Sequence, residues 1–167
     1  MVNILKIRNR NRGMGVIDAG IGLLISILAL IIVFKAVTEG TYRYKKYQLT
    51  NQFSEINSGA DNWKGMRSNF NGVSMTKLCA AGQQSVSSQT CGGVGGSGAN
   101  ANAFGGNWSI EANTSNLSQK KITMTNLPSE RINELADTFA AMSLNECQEA
   151  NNCSTLSVSS NTITVTK

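Results

Sequence analysis

No proline occurs in this chain before Pro128, so nothing in the first three quarters of the sequence forces a helix to break. Between Met14 and Phe34 nearly every residue is apolar, and Asp18 carries the only charge. About 20 residues rising about 1.5 Å each span the hydrocarbon core of a bilayer. A cleaved secretory signal has a shorter apolar core, and Lys35-Ala36-Val37-Thr38-Glu39 beyond this run is a poor site for ordinary signal peptidase. Past Lys35, the residues Leu49, Phe53, Ile56, Ala60 and Trp63 recur at steps of four, three, four and three, which is an amphipathic helical stripe. The two patterns predict one continuous helix from about residue 15 to about residue 57, with residue 66 as its furthest reach. Its second half is expected to lie on a soluble domain. Gly59 and Gly65 leave its end open.

The remainder reads as a small α+β domain. Residues 72–106 are loop-rich, with a short helix around residues 74–81 and a flexible glycine run at residues 92–98. Trp108-Ser109-Ile110-Glu111-Ala112 and Ile122-Thr123-Met124-Thr125 alternate as strands. After Pro128, Ser129 is placed to cap a helix whose apolar stripe is Ile132, Leu135, Ala136, Phe139 and Met142. The C-terminus predicts a hairpin, with Leu156 and Val158 on one strand, Ser159-Ser160-Asn161 as the turn, and Ile163 and Val165 on the other. The expected fold class is therefore α+β: a long N-terminal helix packed on a small antiparallel sheet. The expected division is a basic leader over 1–13, a membrane or filament-core helix over 14–34, and an exported head over 35–167.

A formal net charge of +5 suggests nucleic acid only until the charges are located. Lys6, Arg8, Arg10 and Arg12 precede the apolar run, and without them most of the excess disappears. A basic cluster before a first membrane helix marks the cytoplasmic side. Arg43-Tyr44-Lys45-Lys46-Tyr47 interleaves aromatics with cations just past the helix, where interfacial anchoring accounts for it, and no specific nucleic-acid site is expected.

The chain has four cysteines and no histidine. All four lie beyond the apolar run, which points to disulfides in an oxidising compartment. Of the three pairings that four cysteines allow, Cys79–Cys91 with Cys147–Cys153 is preferred, because each closes a short loop without any assumption about the fold; the other pairings stay open. The spacing is not that of a zinc ribbon, and no metal or cofactor is expected. Gly93, Gly95 and Gly98 match the spacing of a dinucleotide fingerprint, but neither a hydrophobic strand before them nor a helix after them is expected. Without histidine or a G-x-S-x-G motif, an enzyme has little to stand on. Glu130, Glu134 and Asp137 share one predicted helix, where they read as a solvated face. The Asn-X-Ser/Thr tripeptides at Asn107, Asn113 and Asn152 are expected by chance in so Asn- and Ser-rich a chain.

One junction stands apart from these readings. A short basic leader ends in Gly13, Met14 follows, and Asp18 is the fifth residue after the glycine. A carboxylate in a membrane-grade helix costs roughly 2.5–3.5 kcal/mol on insertion scales. This junction resembles the class 3 signal of type IV prepilins, specifically over residues 8–34. The string Asn102-Ala103-Phe104-Gly105-Gly106-Asn107-Trp108 is similar to the Asn-Pro-Phe-Gly-Gly segment of type IVb pilins, including those of conjugative thin pili, with Ala103 in place of proline.

The resemblance implies a bacterial inner-membrane precursor cut by a prepilin peptidase after Gly13 and N-methylated at Met14. The pilus assembly machinery would then stack it into a homo-oligomeric helical filament outside the cell, serving adhesion, aggregation or mating-pair contact. It assigns processing to Gly13 and Met14 and assembly to Asp18, with Gly20 and Gly22 as a soft point in the core helix. The amine on Met14 and the carboxylate of Asp18 would neutralise each other between neighbouring subunits. The family's acid is usually Glu, and the residues before it here are Gly15-Val16-Ile17 rather than Thr-Leu-Ile. A cut after Gly15 would leave Gly20 at the fifth position, so Gly13 is favoured. Alternatives are a minor pilin, a type II secretion pseudopilin, or an uncleaved single-pass protein with an exported binding head.

Overall fold

A computed structural model describes the backbone of residues 14–82 and 85–167 and the side chains of residues 20–82 and 85–167. The element order is α1 (Met14–Lys64), α2 (Met75–Leu78), α3 (Ser88–Cys91), β1 (Trp108–Asn113), β2 (Asn116–Met124), a 3₁₀ turn (Ser129–Arg131), α4 (Ile132–Ala140), β3 (Leu156–Ser159) and β4 (Thr162–Thr166). The fold is α+β: a long N-terminal helix and a four-stranded antiparallel sheet in the order β1-β2-β4-β3. The described chain divides into two units, one ending at Arg43 and one comprising Tyr44–Lys167.

In the first unit, the large apolar side chains from Ile21 to Val37 each stay between 46% (Ile27) and 69% (Phe34) exposed. This stretch belongs to a helix long and apolar enough to cross a membrane. Its polar side chains turn back on their own helix: the Ser26 hydroxyl donates to the Gly22 carbonyl at 2.8 Å and the Thr38 hydroxyl to the Phe34 carbonyl at 2.8 Å. Such back-bonding is how a hydroxyl is satisfied where water is absent.

In the second unit, the α1 stripe is the spine of the core. Leu49, Phe53, Ile56 and Ala60 are fully buried, and Trp63 nearly so. They meet the inner face of the sheet, supplied by Trp108, Ile110, Ile122, Met124, Ile163 and Val165, all buried. From α4, Phe139 packs its ring 5.2 Å from that of Phe53. Each such burial contributes roughly 1.5–3 kcal/mol relative to exposure. Strand register explains the alternation: β1 pairs Ile110 with Ile122, and β2 pairs Ile122 with Val165 and Met124 with Ile163.

Gly59 does not end the helix. A Cβ there would come within 2.7 Å of Val86 Cγ2 and 3.0 Å of the Ser85 carbonyl oxygen, so the residue is small because the 85–86 segment crosses α1 at that turn. The helix stops after Lys64, where Gly65 takes a positive φ of 44°. Ser129 does not cap a helix through its side chain. It opens a 3₁₀ turn without a side-chain cap, and α4 begins at Ile132. Pro128 fixes an extended backbone before the turn, and the first orphan amides are met by i→i+3 bonds such as Arg131 N to Pro128 O at 3.1 Å.

Candidate functional site

Gly13 and the side chains of Met14 and Asp18 lie outside the described residues. The backbone of Met14 is helical, within the described span of α1. Gly20 and Gly22 are within the continuous helix, and a Cβ at either would meet nothing within 4 Å. No packing inside one chain therefore demands these glycines. The cations of the 43–47 run are divided between neighbours. Arg43 pairs with Glu39 one turn back at 3.1 Å, Lys46 reaches Glu134 of α4 at 2.9 Å, and Lys45 lies 5.6 Å from the Phe104 ring centroid. Tyr44 and Tyr47 remain exposed.

The string at residues 102–106 forms a closed turn. Asn102 Oδ1 accepts from the amides of Phe104 and Gly106, both at 2.9 Å, and its Nδ2 donates to the Thr125 carbonyl at 2.7 Å. A Cβ on Gly106 would collide with that same carbonyl oxygen, so only glycine lets the turn close onto the end of β2. Gln52, buried on α1, locks the turn from the other side. Its Nε2 donates to the Ala101 carbonyl at 2.9 Å, while its Oε1 accepts from the Ala103 amide at 3.1 Å and from Trp108 Nε1 at 3.3 Å. One amide thus fixes the loop and the first residue of β1 to the helix.

The glycine run expected to be flexible is anchored at its end. Gly98 N donates to the Cys91 carbonyl at 3.0 Å, and Trp108 N donates to the Gly98 carbonyl at 2.8 Å. The run follows the short helix α3 and leads into β1, so it has neither the strand nor the helix that a phosphate-binding loop needs. Cys79 is bonded to Cys91 and Cys147 to Cys153, with Cα separations of 5.7 Å and 5.8 Å. Glu55 adds a noncovalent tie. Its carboxylate accepts from the Ser87 amide, from the Ser87 hydroxyl at 3.0 Å and from the Thr90 hydroxyl at 2.6 Å. This couples the first disulfide loop to α1.

At the far end of α1, Lys120 of β2 points inward. Its Nζ pairs with Asp61, donates to the Asn57 carbonyl at 3.1 Å and sits 4.8 Å from the Phe70 ring centroid. Burial lowers its pKa from the usual lysine value, opposed by the hydrogen bond and charge of Asp61 and assisted by Lys167 and Lys64. The folded chain therefore holds this proton less tightly than the unfolded chain. The resulting stability term is absent below the folded pKa and gained as pH rises from there toward about 10.5. Lys120→Met is expected to flatten the high-pH rise in urea midpoint relative to wild type. It should cost no stability at pH 7, because exposed Asp61 regains water. Parallel pH curves for the two proteins would refute the assignment.

Among the described residues no group of three or more His, Cys, Asp or Glu side chains is placed to hold a metal ion. One open surface concavity of about 530 Å³ is lined by Asn133, Asp137, Glu149, Asn151, Asn152 and Val158 together with Ala150 and Leu156. No family model matches the chain, and comparison with curated proteins and with solved structures yields no match.

Proposed function

We propose that this chain is the structural subunit of a type IVb-like pilus. The observation that carries the reading is one unbroken helix serving two environments. It leaves its apolar residues 21–37 exposed and buries a second stripe in an α+β head. An exposed apolar surface of this extent requires a membrane or other copies of itself. A filament subunit needs both in turn, first as a membrane precursor and then with apolar helices gathered at a filament core. Removal of the leader after Gly13 would place a new amine on Met14, four residues from Asp18. Gly20 and Gly22, which have open space around them, would let a neighbouring helix approach closely or let the segment unwind on leaving the membrane.

The mass of the purified protein tests this directly. The expected species begins at Met14 with one added methyl group, and Gly13→Ala is expected to accumulate uncut precursor with little mature protein. An intact Met1 in cells that carry a prepilin peptidase would reject the reading and favour a single-pass membrane protein with an exported head.

A further inference from the structure

The head sorts its charges. At the C-terminal end of α1, Lys64, Arg67, Lys77 and Lys120 gather around the two buried rings of Trp63 and Phe70. Arg67 lies 4.4 Å and Lys77 Nζ 5.6 Å from the Trp63 centroid, and Lys64 Nζ lies 4.9 Å from that of Phe70. Lys167 joins them by pairing its backbone with Lys120 at 2.7 Å and 2.8 Å. Asp61 is the carboxylate within this group, and it is engaged by Lys120. Lys64, Arg67 and Lys77 have no carboxylate partner among the described residues. They are nevertheless held in place: Arg67 donates to the Trp63 carbonyl and Lys77 Nζ to the Gly72 carbonyl at 2.6 Å. Cations fixed over aromatic rings lose little further freedom when an anion arrives.

The opposite charge is concentrated elsewhere. Glu130, Glu134, Asp137, Glu146 and Glu149 fall within one stretch whose sole cation is Arg131. Asp137 and Glu149 line the 530 Å³ concavity, whose wall includes the 40% exposed Val158. The Ala150 amide holds Asp137 by donating to Oδ1 at 2.8 Å. The pairing of Glu134 with Lys46 places the start of this acidic flank near residue 46 of α1, whereas the cationic group surrounds residues 61–67. Fifteen helical residues rise roughly 22 Å, so the two surfaces are separate.

We infer that these surfaces recognise each other between copies: the Lys64, Arg67 and Lys77 face of one head docks on the Asp137 and Glu149 concavity of the next. Made once between each pair of copies, the contact is heterologous and leaves one patch free on either side for the next copy. The inference takes its setting from the filament reading, but its chemistry belongs to the head alone. A concavity with carboxylates, amides and an apolar wall suits a long cationic side chain, whose methylenes and charge are both accommodated.

The test uses the full chain in its native membranes with the photoreactive residue p-benzoylphenylalanine at Asn71, beside the cationic face. A cross-link to a peptide spanning residues 146–152 of a second copy is expected. It should fall about tenfold or more between about 50 and about 500 mM NaCl, because exposed charges are screened. Lys77→Glu and Glu149→Lys should each reduce it about tenfold, and the two together should restore it. Absence of the cross-link in the wild-type background, insensitivity to salt, or failure of the paired exchange to restore it would overturn the inference. So would retention of double-stranded DNA on this face without the cross-link. The N-terminal mass is read on the same sample. A processed chain without the cross-link rejects the docking alone, and an unprocessed chain that still cross-links rejects the filament reading alone.

Discussion

Asp18→Ala is expected to leave cleavage after Gly13 largely intact and to abolish filaments. If the mature amine at Met14 and the Asp18 carboxylate meet between subunits in an apolar core, deleting one partner leaves the other charge buried and uncompensated. Removing one member of a buried pair costs roughly 3–5 kcal/mol, which is about a hundredfold or more in a docking equilibrium. Electron microscopy of sheared cell-surface material, with immunoblots for the processed subunit, reads both effects. Asp18→Glu should retain filaments, because the charge is kept and the chain grows by one methylene. Normal filament yield from Asp18→Ala would remove the pairing from the mechanism.

Gln52→Met is expected to destabilise the head by about 3 kcal/mol or more while leaving its volume nearly unchanged. The substitution orphans the Ala103 amide, Trp108 Nε1 and the Ala101 carbonyl, in a region where Trp108 is 1% and Gln52 7% exposed. Each unsatisfied buried group costs roughly 1–3 kcal/mol. Urea unfolding followed by tryptophan fluorescence gives the number. Gln48→Met, one turn earlier on the same helix, is the control. Among the described residues Gln48 donates to the Tyr44 hydroxyl alone, at 3.2 Å in an exposed setting, and its loss should fall within about 0.5 kcal/mol of wild type. Equal effects at the two positions would show that Gln52 does not organise the 101–108 segment.

Periodicity made the spine of this fold legible. Leu49, Phe53, Ile56, Ala60 and Trp63 were spaced as one helical face, and all five are buried. On α4 the expected stripe holds for Leu135, Ala136 and Phe139, whereas Met142 lies beyond the helix; in the C-terminal hairpin Leu156, Ile163 and Val165 are buried but Val158 stays 40% exposed, because β3 is the sheet's edge. Other elements depend on contacts far away in sequence. The first half of β2, Asn116 to Gln119, is polar apart from Leu117, largely exposed and without a burial alternation; it lies at the irregularity where the register with β1 shifts from Ala112–Lys120 to Asn113–Asn116. The adjacency of β2 and β4 likewise has no local signal. The four-residue helix α3 rests on its Ser87 cap, the Cys91 disulfide and Glu55, and two of these are tertiary.

Two working residues of the head left traces that were readable in principle. Gln52 is a polar residue on the apolar stripe, three positions after Leu49 and four before Ile56. Lys120 shares the parity of Ile122 and Met124, which assigns it to the inner face of the strand. A polar residue in an apolar register signals a buried partner, but the partner's identity, such as Asp61 or the Ala103 amide, comes only from the assembled fold.

Both disulfides close loops that begin after α1 has ended, so neither joins that helix to the sheet. What holds α1 in the head is noncovalent and spread along its length: Lys46 to Glu134, Gln52 to the 101–108 segment, Glu55 to Ser87, Asp61 to Lys120, and the apolar stripe between them. A pull directed along the helix axis would load these contacts simultaneously, in shear, rather than peel them one at a time. Mechanical resistance under tension would therefore come from packing and hydrogen bonds acting in parallel. Reducing agents would loosen the loops of the head, and with the first loop the Glu55 tie to Ser87, but would leave the other contacts of that line in place.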